Sequence, residues 1–162
     1  MIIGVIADTH IPTRAKELPK KLLKYLKGVD LILHAGDFVE IEVLKTLEKF
    51  AKVEAVFGNM DEEKMKLKLP GKKIIRVEEI KIGLVHGCDI AWDLKKRIPA
   101  NFCEEEVNCV VYGHTHLAHN EEIKGKLYFN PGSPTDQIFS TSNTFGILEV
   151  TGKKIKGKII EL

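Results

Sequence analysis

The sequence predicts a mixed α/β domain in which two β-sheets pack against each other. Three observations carry this. Residues 1–57 alternate apolar runs of strand length with amphipathic segments of helical period, giving β-α-β-α-β, the order that produces parallel strands with right-handed crossovers. From residue 72 onward the apolar runs are short and divided by turn residues, which reads as mostly antiparallel strands. The 162 residues, 44% of them hydrophobic, have the length of one domain spanning 1–162. A chain of that size buries roughly 68–70% of its unfolded surface.

The first strand spans residues 2–7 and closes in Asp8-Thr9-His10. Leu18, Leu22, Leu23 and Leu26 then recur at helical spacing. Pro19 is tolerated in that helix's first turn, and Gly28 stops it. Residues 29–33 form the second strand, leading into His34-Ala35-Gly36-Asp37. Ile41, Val43, Leu44, Leu47 and Phe50 mark a second helix, with Asp37 a candidate N-cap for residues 39–50. The third strand, 53–57, ends in Gly58-Asn59-Met60-Asp61. Residues 64–72 are polar and finish on the turn pair Pro70-Gly71.

Runs 74–77 and 80–85 flank Glu78-Glu79 as a tight hairpin, and the second of them closes in His86-Gly87. A short helix is expected over 89–97, carrying Trp92 and stopped by Pro99. Residues 109–112 are a strand that delivers Gly113-His114-Thr115-His116. Residues 124–129 are the next strand, followed by the loop Asn130-Pro131-Gly132-Ser133-Pro134. Runs 144–150 and 155–162 close the chain as a hairpin around Thr151-Gly152-Lys153.

The net charge of +2 argues against a broad nucleic-acid surface. Cys88, Cys103 and Cys109 are odd in number and lack C-x-x-C spacing, which fits incidental thiols in a reducing cytoplasm. No apolar run reaches the roughly 20 residues that span a bilayer. The N-terminus enters a strand directly, without a basic segment or a small-residue cleavage site, so a cytoplasmic location is expected. Lys and Glu dominate the charged residues and Gln137 is the only glutamine, a bias known from proteins of hot habitats.

The chemistry concentrates where strands end. Asp8 and His10 follow the first apolar run, Asp37 the second, Asn59 the third, His86 the run ending at Val85, and His114 with His116 the run ending at Tyr112. Alternate residues of an extended segment point the same way, so His114 and His116 are expected to face one point. Gly113 lets the backbone turn there. In open α/β sheets, sites form at the carboxyl ends of strands. Seven oxygen and nitrogen donors without a thiolate exceed the needs of one tetrahedral ion and suit Mn, Fe, Co, Ni or Zn. Two ions sharing one carboxylate fit this count. Two-metal sites, with ions roughly 3.5–4 Å apart, activate a water and clamp the oxygens of an in-line displacement, which is phosphoester chemistry. Taken singly, Asp8 or Asn59 reads as a turn residue and His86 as a core histidine; five concordant strand ends outweigh those readings.

The motifs D-x-H, G-D, G-N, H-G and G-H-T-H stand here as Asp8-Thr9-His10, Gly36-Asp37, Gly58-Asn59, His86-Gly87 and Gly113-His114-Thr115-His116. In this order they resemble the calcineurin-like metallophosphoesterases, in the small single-domain phosphodiesterase branch. The N-P-G-S segment at Asn130–Ser133 extends the resemblance over nearly the whole chain. It implies a four-layer αββα sandwich, with two mixed β-sheets flanked by helices. It implies a dinuclear phosphodiesterase working through a hydroxide held between the ions. Asp8, His10, Asp37 and His116 would hold the first ion. Asp37, Asn59, His86 and His114 would hold the second, with Asp37 bridging. Asp37, His10 and Asn59 are the residues expected to take part in catalysis. The expected ions are two divalent metals, manganese first, with nickel, iron, cobalt or zinc as alternatives. The expected partner is a small phosphodiester, with no membrane and no extended nucleic acid; monomer and homodimer both stay open.

The chain departs from the pattern in two places. Many relatives carry a histidine after the G-N asparagine, thought to help protonate the leaving group; this chain has Met60. His10 and Asp61 are the remaining candidates for that acid, and without one, good leaving groups are favoured. The segment Pro134-Thr135-Asp136-Gln137 also lacks the arginine that the resemblance leads one to expect. His34 reads as structural or as a partner of a ligand, His119 as solvent-exposed, and Trp92 as a packing residue or a substrate wall. Glu104-Glu105-Glu106 and Lys153-Lys154 read as solvated faces. Two other functions compete with the enzyme. One is a non-catalytic metal-binding interaction module, because the family includes a retromer scaffold subunit with altered ligands. The other is a nuclease, against which stand the short chain, its near-neutral charge and the lack of a basic stripe interleaved with aromatics.

Overall fold

The computed structural model describes residues 1–87, 102 and 106–162; the helix expected over 89–97, with Trp92, lies outside them, as do Cys88 and Cys103. In chain order the elements are β1 (Ile2–Ile6), α1 (Lys20–Leu26), β2 (Leu31–His34), α2 (Ile41–Leu47), β3 (Lys52–Ala55), α3 (Glu63–Lys66), β4 (Lys72–Val77), β5 (Ile80–Val85), β6 (Cys109–Val111), β7 (His119–Ile123), β8 (Lys126–Asn130), β9 (Thr144–Thr151) and β10 (Lys154–Glu161). They build two mixed five-stranded sheets, ordered β10-β9-β1-β2-β3 and β4-β5-β6-β8-β7. This is the α/β sandwich that the sequence predicts.

Periodicity decides which face each strand buries. Ile3, Val5 and Ala7 point toward the second sheet, where they meet Ile82, Leu84, Val111 and Phe129, while Ile6 points the other way against Leu22, Leu26 and Val43 of the helices. Phe129 links the sheets. A Cβ at Gly146 of β9 or Gly157 of β10 would overlap its ring, so the absent side chains on those strands make the space it fills. The outer face of the second sheet packs Val85, Val110 and Tyr112 with Phe102 and Val107. Among the described residues, no helix is long and apolar enough to cross a membrane.

Several local expectations are corrected. Pro19 is the N-cap of α1 rather than a residue of its first turn. The N-cap of α2 is Glu40, so Asp37 does not cap that helix. The third strand ends at Ala55 rather than at 57. The polar stretch after it holds the short helix α3, because Met65 supplies one fully buried anchor. Residues 124–129 are not one strand. Lys124 and Gly125 are a two-residue turn, with φ of 52° and 76°, between β7 and β8. The sequence hides β7 because it is a polar edge strand, His-Asn-Glu-Glu-Ile, without an apolar alternation. His119 is half-buried rather than free in solvent: its Nδ1 lies 2.6 Å from Tyr112 Oη and its Nε2 3.0 Å from Glu121 Oε2.

The topology sets up the site. β1, β2 and β3 run parallel in the first sheet, and β5, β6 and β8 run parallel in the second. The carboxyl ends of both sets meet at one rim, where the His114 N–H after β6 donates to Asp8 Oδ1 after β1 at 3.1 Å.

Candidate metal centre

Each chemistry-bearing residue sits just past a strand, and the backbone turns sharply there. Asp8, His10, Asp37, Val39, His114 and His116 all have positive φ, between 42° and 75°. Apart from Gly, such backbone is uncommon, and each instance costs of order 1–3 kcal/mol unless its surroundings hold it. The remaining non-glycine cases, Glu78 and Lys124, are the turns of two hairpins. The concentration of strain at this rim marks it as functional.

Simple alternation would let His114 and His116 face one point, but left-handed backbone turns them to different halves of the cluster. His114 Nδ1 lies 3.1 Å from Asn59 Oδ1, whereas His116 Nε2 lies 3.1 Å from His10 Nε2. Alternation of side chains holds for extended backbone, and neither residue is extended.

The structure brings all seven expected residues into one cluster with two overlapping donor groups. Asp8, His10 and His116 offer ligand atoms within 4.8 Å of one another, and so do Asp8, Asp37 and His86. Asp37 Oδ2 lies between the halves, 3.6 Å from His10 Nε2 and 3.3 Å from His86 Nε2. Asn59 Oδ1 joins the second half at 3.1 Å from His86 Nε2. Asp8 Oδ1 accepts the His114 N–H at 3.1 Å, while its Oδ2 is fully buried without a hydrogen-bond partner among the described residues. A buried carboxylate oxygen left unpaired is costly. A cation there would satisfy it, so the residues present fit divalent metal ions.

Burial and mutual charge perturb these groups. Burial raises the Asp8 carboxyl to about 8 and lowers His10 to about 4. For His86, burial acts downward, but the hydrogen bond it donates to Asp37 and the charges of Asp8 and Asp37 win and raise it to about 9. Asp37 is itself lowered: burial opposes this, and the His86 hydrogen bond and the Met60 N–H outweigh it. Perturbations of both signs in one cleft are typical of reactive sites.

A second layer orients the donors. His86 Nδ1 lies 2.7 Å from Ala35 O, which turns Nε2 toward the cluster. His116 Nδ1 lies 3.1 Å from Asp136 Oδ2, close but off the axis of a formed hydrogen bond. Loop 130–136 braces both ligand turns. Ser133 Oγ donates to Asp8 O at 2.7 Å, Thr135 Oγ1 to Thr9 O at 2.7 Å, and Asn130 Nδ2 to Gly113 O at 3.0 Å. Asp61, considered for proton donation, is committed elsewhere: its oxygens accept N–H bonds from Gly58, Val39 and Asp37 at 2.8–3.1 Å. Buried His34 accepts the Gly36 N–H and stacks on Phe38, with centroids 3.5 Å apart. Sequence reasoning missed Asp136 as a partner of His116. Its position three residues past Ser133, in the flagged loop, was the available signal.

The cluster floors an open pocket of about 470 Å³, with Arg14, Met60 and Phe139 at its mouth. Acid, amide and imidazole donors at the carboxyl rim of paired sheets define a metallohydrolase type of domain. The likeness to known proteins agrees. The chain belongs to the calcineurin-like phosphoesterase superfamily, whose domain model matches residues 1–153. It is 43% identical over 137 residues to a probable metallophosphoesterase of Methanocaldococcus jannaschii, covering 83% of this chain and 69% of that protein. It is 35% identical to a probable metallophosphoesterase of Methanothermobacter thermautotrophicus, covering 99% and 92%. Among solved structures it is similar to wild-type Vps29 complexed with zinc from Entamoeba histolytica, with TM-score 0.83, 26% identity and 99% of each chain covered.

Proposed function

We propose that this protein is a phosphodiesterase dependent on two divalent metal ions. The observation that carries this reading is the pair of overlapping donor groups, with a buried Asp8 oxygen that finds no hydrogen-bond partner among the described residues. Asp8, His10, Asp37 and His116 would hold one ion, and Asp37, Asn59, His86 and His114 the other. Bound there, such ions supply Lewis acidity, which polarises a phosphoryl oxygen and lowers the pKa of a water. The chain's own residues place and orient the donors and leave one face of the cluster open. In the reaction a water oxygen bonds to phosphorus, the ester P–O bond breaks, and the alcohol leaves with a proton.

The mouth favours a diester with a good leaving group. Met60 and Phe139 are 54% and 62% exposed, an apolar rim that suits the second organic substituent of a diester. Proton donation from protein is weak here: burial keeps His10 neutral near pH 7, and Asp61 is engaged by backbone. The relatives named as probable metallophosphoesterases support the same class.

The test is hydrolysis of matched aryl phosphodiester and monoester substrates by metal-stripped protein reloaded separately with Mn²⁺, Ni²⁺, Zn²⁺ and Mg²⁺. Metal-dependent diester cleavage that Asp37→Ala abolishes is expected. An Asp37→Ala variant with full turnover and full metal content would falsify the two-metal assignment. The likeness to Vps29 favours one other reading, a metal-binding interaction module. Tight binding of metal with no turnover of any ester would select it.

A further inference from the structure

Beyond the metal donors, one permanent charge lines the pocket among the described residues. Arg14 lines the pocket together with His10, Met60 and Phe139. The loop of residues 130–137 brings no lysine or arginine of its own. Among the described residues, no carboxylate lies within ion-pair distance of Arg14. An arginine at a surface would ordinarily find one or point into solvent; this one is held over the pocket from two sides.

Its backbone is tied to the cluster, because Arg14 N–H donates to His10 O at 2.7 Å. Its guanidinium carbon sits 5.3 Å from the centroid of the Phe139 ring, within the range of a cation–π contact. That ring also meets His116 edge-on, with centroids 5.6 Å apart. Phe139 is placed by its own backbone, whose N–H donates to Asp136 Oδ2 at 2.8 Å. The carboxylate beside His116 therefore also fixes the ring that carries the guanidinium. Besides forming part of the apolar rim, this exposed phenylalanine stacks under Arg14.

We propose, on the phosphoesterase reading above, that Arg14 is the phosphate-binding arm of the substrate pocket. Its planar fork of donors matches phosphoryl oxygens in a way that a lysine does not. Phe139 is a positioning residue that keeps the fork over the mouth. The class of ligand is an anionic phosphoester, with a phosphoryl oxygen toward residues 13–14.

The experiment measures three quantities on metal-loaded wild type, Arg14→Ala, Arg14→Lys and Phe139→Leu. These are bound metal per chain, the Kd of inorganic phosphate by calorimetry, and KM and kcat for an aryl phosphodiester. Loss of hydrogen bonds from a charged donor predicts phosphate binding weaker by about 10- to 100-fold in Arg14→Ala, with metal content unchanged. KM should rise by a similar factor while kcat changes far less, the signature of lost uniform binding. Arg14→Lys should fall between the two, and Phe139→Leu should lose about 2- to 5-fold through the cation–π contact. Were Arg14→Ala to lose its metal, Arg14→Lys against Arg14→Gln would decide, because only the first keeps the charge. Wild type that cleaves the diester, beside an Arg14→Ala variant with unchanged KM and phosphate affinity, overturns this inference alone. Wild type that neither binds phosphate nor cleaves overturns it together with the reading on which it rests.

Discussion

Replacing Phe129 by alanine tests how the two sheets are joined. The side chain is fully buried and faces Gly146 and Gly157 on the opposite sheet, so the residues directly across from it have no side chain to fill the gap. Lost transfer free energy for a buried aromatic is about 1.5–3 kcal/mol. An unrelaxed void of roughly 100 Å³ adds about 2.4 kcal/mol at ~24 cal/mol per Å³. The sum, about 4–5 kcal/mol, lies at the upper end for such truncations. For a chain of this length it lowers Tm by about 8–20 °C, at ~2–4 °C per kcal/mol. Urea denaturation with the slope held common to wild type and variant measures the change. A double-mutant cycle sharpens it. Gly146→Ala alone should destabilise, because its Cβ would overlap the ring, but in the Phe129→Ala background the same methyl fills the void and the cost should vanish or reverse. A Phe129→Ala variant within about 1 kcal/mol of wild type, or strictly additive effects in the cycle, would refute this account of the interface.

Three further predictions concern the metal centre. Asp136→Asn removes the carboxylate beside His116 and should weaken metal binding by about 10- to 100-fold, with only a small change in the stability of the metal-free protein; competition with a chromogenic chelator reads the change. Gly58→Ala places a Cβ where Asp37 Oδ1 now lies, so it should lower bound metal and activity together, as elemental analysis and diester hydrolysis would show. In metal-free protein Asp8 and His86 both have raised values, about 8 and about 9, so the folded pair holds protons more tightly than the unfolded chain does. The unfolded chain gives up these protons near pH 3.8 and 6.5, so stability falls with rising pH from about 4 to 8 on account of Asp8, whose buried carboxylate is costly, and from about 6.5 to 9 on account of His86; Tm in chelator should therefore fall between pH 7 and 9, as the last part of that decline. Metal binding must displace the same protons, so metal affinity should rise over the same window, by up to about tenfold per pH unit for each proton released. Thermal scans with and without metal across that range check both signs.

By itself the sequence determined the β-α-β-α-β beginning, the hairpins at Glu78-Glu79 and Gly152-Lys153, and the donor residues at five strand ends. Those features are local: apolar periodicity, turn residues and short motifs carry them within a few positions. The family was legible for the same reason, since its motifs are runs of two to four residues. The resemblance implied how the donors divide, but only the tertiary structure gives the distances between them. His10 and His116 are 106 positions apart and touch, while left-handed backbone sends His114 to Asn59 instead. The tertiary structure also decided that Asp61 holds backbone N–H groups, that Asp136 reaches His116, and that Arg14 and Phe139 meet over the pocket. Strand β7 escaped the sequence because an edge strand answers to the pairing of its neighbour and not to its own hydrophobic pattern. Contacts of this kind depend on where two sheets place loops distant in the chain, and local sequence does not encode that geometry.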